Sequence, residues 1–507
     1  MPSQPIKIEL RTISAASTGD LTVIESSRDL PFSIKRIYYI YGMDRGSRRG
    51  FHAHRQLYQL LAAIHGSFEL RLEGPSGSFV FKLSRPNEGV LIPPGYWREM
   101  HDLGPDTVVM VMASEDYDEE DYIRDYDDFK RWQAESSEPG PVPYLDLSRP
   151  DLPPKEMEQA LGAVVKGGRF VNGPRLKEFE EKLAEMAGVE HAVGVGNGLD
   201  ALTLTLDALD IGTGDEVIVC AAGFVATALA VSRLGARPVF IDCRPNANLD
   251  PDQLVGALSA RTRAVIPTHL YGYPADMEAI GPWADRHDLA VVEDACQAHG
   301  SSLRGRPCGS WGRAAAFSFY PTKNLGALGD GGCVVTNEAA LAEKIRRLAN
   351  YGSSRRYHHE FLGYNSRLDE LQAAVLLLKV GHLPSWNERR RHLAATYEQA
   401  LKNIDGLEVP EVGKGVVTNW HVFAVRVKGG RRDRLAEFLA GRDIGTNIHY
   451  PQPLHRQECY RDEYGTLSFP EAESWAAETL SLPLSPTHTQ SEIDRVCDAV
   501  REYFSTI

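Results

Sequence analysis

FSFYPTKNLGALGDGG (residues 317–332) sets one lysine, Lys323, between an aromatic-rich strand end and a cluster of glycines. An ordinary lysine keeps its strongly hydrated ammonium in water and needs no such framing. The run AAAFSFY (314–320) reads as a strand, so Lys323 follows a strand end in a turn closed by GDGG. Upstream, LAVVEDACQAHG (289–300) is a second apolar strand that ends in Glu293 and Asp294, with Gln297 just beyond. Acids at the carboxyl ends of parallel strands lie where such sheets bind ligands, although a single Asp there also serves as a helix cap. Further upstream, VGVGNGLDALTLTL (193–206) is a strand running into Gly194, Gly196 and Gly198 and then a helix. That arrangement turns backbone N–H groups toward an anion, most often phosphate. The spacing is not GxGxxG, so a dinucleotide is not indicated, and a plain tight turn would look the same.

Around these motifs the texture is regular. DEVIVCA, RPVFID, RAVIPTHLY and LAVVEDA alternate with the helical stretches DALTLTLDAL and ADMEAIGPWADRHD, which predicts a parallel sheet with crossovers. After about residue 390 a smaller segment mixes helices with the strand NWHVFAVRVKG and predicts an α+β cap. Residues 1 to about 130 differ. LTVIES, IKRIYYIYG, SFVFKLSRP, GVLIPPG and TVVMVMAS are short strands at close, even intervals, as in a β-sandwich or barrel. Between the two textures, AESSEPGPVP (134–143) is polar and rich in Pro and Gly. The expected organisation is a domain over 1–133, a linker over 134–142 and a larger domain over 143–507, since 507 residues exceed one core.

The formal net charge is −14, and SEDYDEEDYIRDYDD (114–128) concentrates acid, which argues against a nucleic-acid partner or an anionic membrane surface. MPSQPIKIEL has no apolar signal core, and no run approaches the ~18 apolar residues of a span. Seven cysteines without a CxxC pair suggest reduced thiols and a cytoplasmic location.

A phosphate-type turn, a strand-end acid and a lysine after a strand are together the parts needed to hold pyridoxal 5'-phosphate. FSFYPTKNLGALGDGG, VVEDACQAHG, GNGLDALTLTL, GRFVNGP (168–174), GYNSRLDELQAAVL (363–376) and IHYPQPLH (448–455) resemble, in order, the sugar aminotransferases of the DegT/DnrJ/EryC1/StrS family. The likeness runs from about residue 143 to the C-terminus. It implies a fold type I aminotransferase that works as a homodimer with its site at the subunit interface. By the same resemblance Lys323 bonds the cofactor aldehyde and moves the proton between substrate and cofactor carbons. Asp294 pairs with the ring nitrogen, Gln297 reaches the ring hydroxyl and Phe224 stacks on the ring. Leu199 and Asp200 offer backbone amides, and Ser318 its hydroxyl, to the phosphate, while Asn365 reaches the phosphate of a partner subunit. Leu199 departs from the small hydroxyl residue common in the family, leaving a backbone contact only. Relatives with histidine in place of the lysine are dehydratases; this chain keeps lysine, which implies transamination.

In the smaller domain, RRGFHAHRQLYQLLAAIHG (48–66) and LIPPGYWREMHD (91–102) place an HxH on a strand ahead of a Pro-x-Gly turn, the pattern of a cupin, a jelly-roll barrel. Metal-binding cupins add a downstream Glu and a second-motif His; here Gln59 and Arg98 stand at those places. Two of four ligands are lost, so no metal is expected, with His101 the one remaining candidate ligand. His52 and His54 share one strand face, and imidazoles suit proton transfer near neutral pH. A histidine pair bonded inside the barrel is the structural alternative. PFSIKRIYYIYG, RGFHAHRQLYQLL and VMASEDYDEEDYIRDYDDFKRW resemble the WxcM-like cupin nucleotide-sugar 3,4-ketoisomerases over nearly all of 1–133. This implies that a 4-keto-6-deoxyhexose on a nucleoside diphosphate becomes the 3-keto isomer through an enediol. His52 and His54 are the expected acid and base, with Tyr39 and Arg49 orienting or polarising the sugar. Thr18 lies in a stretch of possible relevance but without an argued role.

Together the resemblances imply a bifunctional enzyme. It would isomerise a dTDP-4-keto-6-deoxyhexose and aminate carbon 3, with glutamate as donor, as a homodimer or larger homo-oligomer. The rival readings are a 4-aminotransferase with a catalytically silent cupin, and a cupin that only binds sugar nucleotide as a regulatory module.

Overall fold

The computed structural model describes residues 4–506 except 16, 18, 27, 138, 139 and 150, with the backbone alone over 134–137. Thr18 therefore lies outside the described residues, as does part of the expected linker. The chain divides into two compact units, Met1–Gly140 and Pro141–Ile507. The helix Tyr126–Ser137 continues into the stretch expected to be linker. No helix among the described residues is long and apolar enough to cross a membrane.

Apart from the helix Tyr126–Ser137 and a short 3-10 turn at Glu119–Asp121, the first unit is all-β, as expected, with two five-stranded antiparallel sheets and the hairpin of Arg11–Ala15 and Gly19–Val23. One orders Ile6–Glu9, Glu88–Ile92, Gln59–His65, Val108–Ala113 and Arg36–Ile40; the other orders Tyr122–Ile123, Ser47–His54, Trp97–Leu103, Phe68–Gly74 and Gly77–Leu83. Period-two alternation points Phe68, Leu70 and Leu72 into the core, where they join Leu61, Val90, Ile92, Met100 and Val109. A bulge interrupts the pairing of Ser47–His54 with Trp97–Leu103, between Arg98 and Glu99. Gly50 sits there at φ +97°, followed by Phe51 at +53°, and a Cβ on Gly50 would lie 2.6 Å from the Arg98 carbonyl oxygen. Bulges re-aim side chains, and this one sets His52 directly opposite Arg98.

The second unit is built on a seven-stranded sheet in the order 191–195, 332–336, 314–318, 290–294, 262–266, 216–220, 237–241. Six strands are parallel, but Gly332–Thr336 is antiparallel to both neighbours, which the alternation of strands and helices did not foretell. The chain between Ser318 and Gly332 carries the Lys323 loop rather than a crossover helix, so it returns directly beside the strand it left. The glycines make that return possible. A Cβ on Gly332 would lie 2.3 Å from the Asn197 carbonyl carbon, and one on Gly326 would lie 2.4 Å from the Pro321 oxygen. The expected cap is a three-stranded sheet of 407–408, 423–427 and 479–482. Leu393, Tyr397, Phe423, Leu480, Ile493 and Val496 pack its core beneath the helices Leu383–Leu401 and Gln490–Ser505.

Glu293 and Asp294 end one strand and point to opposite faces. Glu293 turns away from the ligand-binding edge. It accepts hydrogen bonds from the amides of Gly309, Trp311 and Gly312 at 2.7–2.8 Å, and His269 Nε2 donates to it at 2.9 Å. It is a structural anchor, and Glu293→Ala strands three backbone donors and a histidine in the interior. A loss of about 3 kcal/mol or more is expected, read as a thermal transition of the second unit lowered by several degrees while that of the first is unchanged.

Candidate active sites

Within the second unit, the residues singled out from the sequence gather at the carboxyl end of the parallel strands. Asp294 is buried there; its Oδ2 accepts from the Thr227 hydroxyl at 2.6 Å and its Oδ1 from the Cys296 amide at 3.2 Å. Gln297 is held at both ends: Oε1 accepts from the Tyr271 amide at 2.7 Å and Nε2 donates to the Tyr450 hydroxyl at 3.0 Å. The Phe224 ring lies 5.5 Å from that of Tyr450, the residue bonded to Gln297, and remains 53% exposed.

The helix Gly198–Ala208 starts at the same edge, capped by Asn197. The Asp200 amide, expected to face a phosphate, donates to Asn197 Oδ1 at 2.8 Å. An N-cap side chain takes a donor at N2 or N3, so the amides left outward are those of Gly198 and Leu199. A Cβ on Gly198 would lie 2.8 Å from Ser318 Cβ and from Cys296 Sγ, so only glycine lets this terminus approach Ser318 closely. Asn365 is exposed, and its backbone bridges to Asn350. It makes no side-chain hydrogen bond to the other expected residues.

Lys323 has no carboxylate within ion-pairing distance among the described residues. Its Nζ lies 3.4 Å from His421 Nε2. Asn324 fixes the histidine's tautomer. Its Nδ2 donates to Asn387 Oδ1 and to the Asn419 carbonyl at 3.0 Å each, so its Oδ1 accepts from His421 Nδ1–H at 3.1 Å. The Nε2 lone pair therefore faces the lysine. Burial lowers the proton affinity of Lys323, with Cys296 and Asp294 opposing, and burial beside Lys323 likewise drives His421 well below the usual histidine range. The result is an amine whose charged form is disfavoured by burial, beside a neutral imidazole. This set suits pyridoxal 5'-phosphate: a nucleophilic amine, a fixed carboxylate for the ring nitrogen, an open aromatic face, and a glycine-opened helix terminus beside a serine. His421, Thr227 and Tyr450 were not singled out from the sequence, although NWHVFAVRVKG and IHYPQPLH contain two of them.

In the first unit a cavity of about 620 Å³ opens in the barrel, lined by His52, Arg98, Gln59, Tyr122 and Tyr38, with Tyr39 and Arg49 toward its exposed rim. His52 Nδ1 lies 3.0 Å from the Gly50 carbonyl oxygen, so Nδ1 carries the hydrogen and Nε2 the lone pair. Burial, and then Arg98, lower its pKa to about 4. His54 shares the expected face, its ring edge-on to His52 at 4.9 Å, but it is fully buried and does not line the cavity. Tyr122 pairs with it in register and covers it at 4.2 Å. Held neutral by burial, His54 donates Nδ1–H to Asp121 at 2.7 Å. His101 is turned to Glu99 at 2.7 Å, away from the cavity lining. Asp121, Tyr122 and Arg124 come from the run read as an acidic stretch and as part of the ketoisomerase resemblance, without being singled out themselves.

Comparison with known proteins agrees with this division. Residues 153–501 match the model of the DegT/DnrJ/EryC1/StrS aminotransferase family, and residues 4–134 match the model described as WxcM-like, C-terminal. A dTDP-3-amino-3,4,6-trideoxy-alpha-D-glucose transaminase of Streptomyces venezuelae is 48% identical over 71% of this chain and 96% of its own. A dTDP-3-amino-3,6-dideoxy-alpha-D-galactopyranose transaminase of Aneurinibacillus thermoaerophilus is 45% identical over 71% of this chain and 99% of its own. The crystal structure of DesV from S. venezuelae, in complex with a ketimine intermediate, superposes with a TM-score of 0.71 at 47% identity, covering 73% of this chain and 100% of that one. The chain belongs to the DegT/DnrJ/EryC1/StrS family of pyridoxal 5'-phosphate-dependent aminotransferases, here fused behind a WxcM-like cupin domain.

Proposed function

We propose that this sugar aminotransferase is bifunctional: the cupin isomerises a dTDP-4-keto-6-deoxyhexose to the 3-keto sugar, and the second unit aminates carbon 3 with glutamate as donor. The observation that carries the isomerase half is His52, a neutral imidazole whose Nε2 lone pair stands at a cavity wall with a fixed tautomer. Support for carbon 3 comes from the two relatives above, whose names both place the amino group there. A fused isomerase would supply the ketone at that carbon from the 4-keto sugar.

In the cupin, His52 removes the proton on carbon 3, leaving an enediolate, and a proton returned to carbon 4 completes the exchange with no redox change. His54, locked on Asp121, backs His52 rather than meeting the sugar, while Tyr39 and Arg49 hold the sugar at the rim. In the second unit, pyridoxal 5'-phosphate, when bound, would supply the electron sink and the amino-group carrier that transamination needs. Lys323 would bond it and move the proton, and His421 would accept a proton from the lysine. Asp294 would keep the ring nitrogen protonated, Gln297 would meet the ring hydroxyl, and Phe224 would cover one face. Ser318 and the Leu199 amide would hold the phosphate, with Asn365 completing the same site in the partner of a homodimer. A 3-keto sugar has an acidic hydrogen at carbon 2, β to the nucleotide, and eliminates readily; tethering the two activities in one chain raises the effective concentration of its consumer.

Full-length protein given dTDP-4-keto-6-deoxyglucose, pyridoxal 5'-phosphate and glutamate should yield an amine on carbon 3, assigned by NMR. An amine on carbon 4 would sink the proposal. His52→Ala should abolish 3-amino product, whereas Lys323→Ala should still wash deuterium from heavy water into the sugar. The low pKa of His52 sets the pH dependence: the base form survives acid down to about pH 5. Isomerase kcat/KM at pH 5.5 should stay near its plateau, where an ordinary imidazole would be about nine-tenths protonated. Gly198→Ala should weaken cofactor retention by at least about tenfold, followed by visible absorbance during dialysis, because the helix terminus is forced away from Ser318.

A further inference from the structure

Arg98 is the largest fully buried side chain among the described residues, at 1% exposure, and it contributes to the cavity wall. One terminal nitrogen donates to Gln59 Oε1 and the other to the Tyr96 carbonyl at 3.3 Å; Nε has no partner. No carboxylate lies within ion-pairing distance of it among the described residues, and Asp121, whose charge acts on it from further off, is taken by His54. A buried charge without a counter-charge is costly to folding and is not retained for stability alone. The charge also has a definite place. Strand register sets Arg98 across from His52, and the bulge at Gly50 brings the two strands into contact at that point. Gln59, from the other sheet, holds the guanidinium at the spot that the sequence pattern reserves for a metal in other HxH cupins.

We propose that Arg98 is a catalytic residue of the cupin: a fixed cation, held by Gln59, that stabilises the negative charge on the sugar oxygens as His52 takes the proton from carbon 3. This rests on the ketoisomerase reading above. When the C3–H bond breaks, its electron pair forms the C3=C4 double bond and the carbonyl electrons move onto O4, while the proton goes to His52 Nε2. After proton exchange between O4 and O3, the negative charge lies on O3. It collapses to the 3-ketone as carbon 4 takes a proton. Charge passes from one oxygen to its neighbour and back to neutral, so one preorganised cation serves both halves. Arg98 also lowers the proton affinity of His52. The other charged or titratable groups facing that ring are His54 on its own strand and Tyr122, Arg124 and Glu119 from the covering segment. Glu119 is engaged by Arg124 at 2.6 and 2.8 Å.

The test uses the full-length protein with dTDP-4-keto-6-deoxyglucose in heavy water and no amino donor, following deuterium uptake at carbon 4 of the 3-keto sugar and, by reversal, at carbon 3 of the 4-keto sugar. Arg98→Met should lose about 10²–10³-fold in kcat with KM changed little, the loss typical of one oxyanion donor. Its acid limb should also move to higher pH, because the cation that lowered the His52 pKa is gone. Arg98→Lys should keep the acid limb in place and recover at least about tenfold of the loss. If Arg98→Met does not fold, the double variant Gln59→Leu/Arg98→Met removes the stranded partner and should show the same loss. Folded Met or double variants with kcat within about threefold of the parent, or an acid limb unmoved when the charge is removed, would overturn the proposal. Parent protein that takes up no deuterium would instead overturn the ketoisomerase reading beneath it.

Discussion

The pleat between Glu293 and Asp294 organises the larger unit. Consecutive residues of a strand face opposite sides, so one step along the backbone separates a structural carboxylate from one that faces the candidate site. Glu293 gathers three loop amides and a histidine and fixes residues 309–312 against the sheet. Asp294, its position thereby set, faces the Thr227 hydroxyl. The neighbouring strand ends at Ser318 and leads into the Lys323 loop, which must then return antiparallel through glycines tight enough to pass Asn197. Moving either acid by one residue would exchange the anchor and the site.

The two units handle buried charge in different ways. Around Lys323 the interior favours the neutral amine, and the asparagine network presents a lone pair to it instead of an anion. In the barrel the cation is kept charged: Arg98 remains ionised at neutral pH even though burial lowers its pKa to about 10. Its field, added to burial, keeps the adjacent histidines neutral. Burial disfavours the charge on the lysine but leaves the guanidinium ionised, a division that follows from their intrinsic pKa values.

Much was legible in the chain itself. The strand–helix alternation, the even short strands of the N-terminal part, the lysine framed by glycines, the strand-end acid and the HxH pair all follow local rules of periodicity and turn chemistry, which a sequence displays directly. The resemblance to two families added cofactor and reaction class, and the family models match the two parts separately. The direction of Gly332–Thr336 was not legible, because strand sense depends on how the preceding loop returns rather than on the strand's own residues.

The site residues divide along the same line. Lys323, Asp294, Gln297 and His52 were readable because each occupies a distinctive local setting in its motif. The roles of His421, Tyr122, Asp121 and Arg98 were not, since each depends on a partner distant in sequence: His421 on Asn324, Tyr122 and Asp121 on His54, Arg98 on Gln59. Sequence by itself determined which chemical groups the chain owns and which strand or turn carries them. Only the tertiary structure decided which histidine meets the cavity and what charge stands opposite it, because burial, tautomer and electrostatic field are properties of neighbours in space.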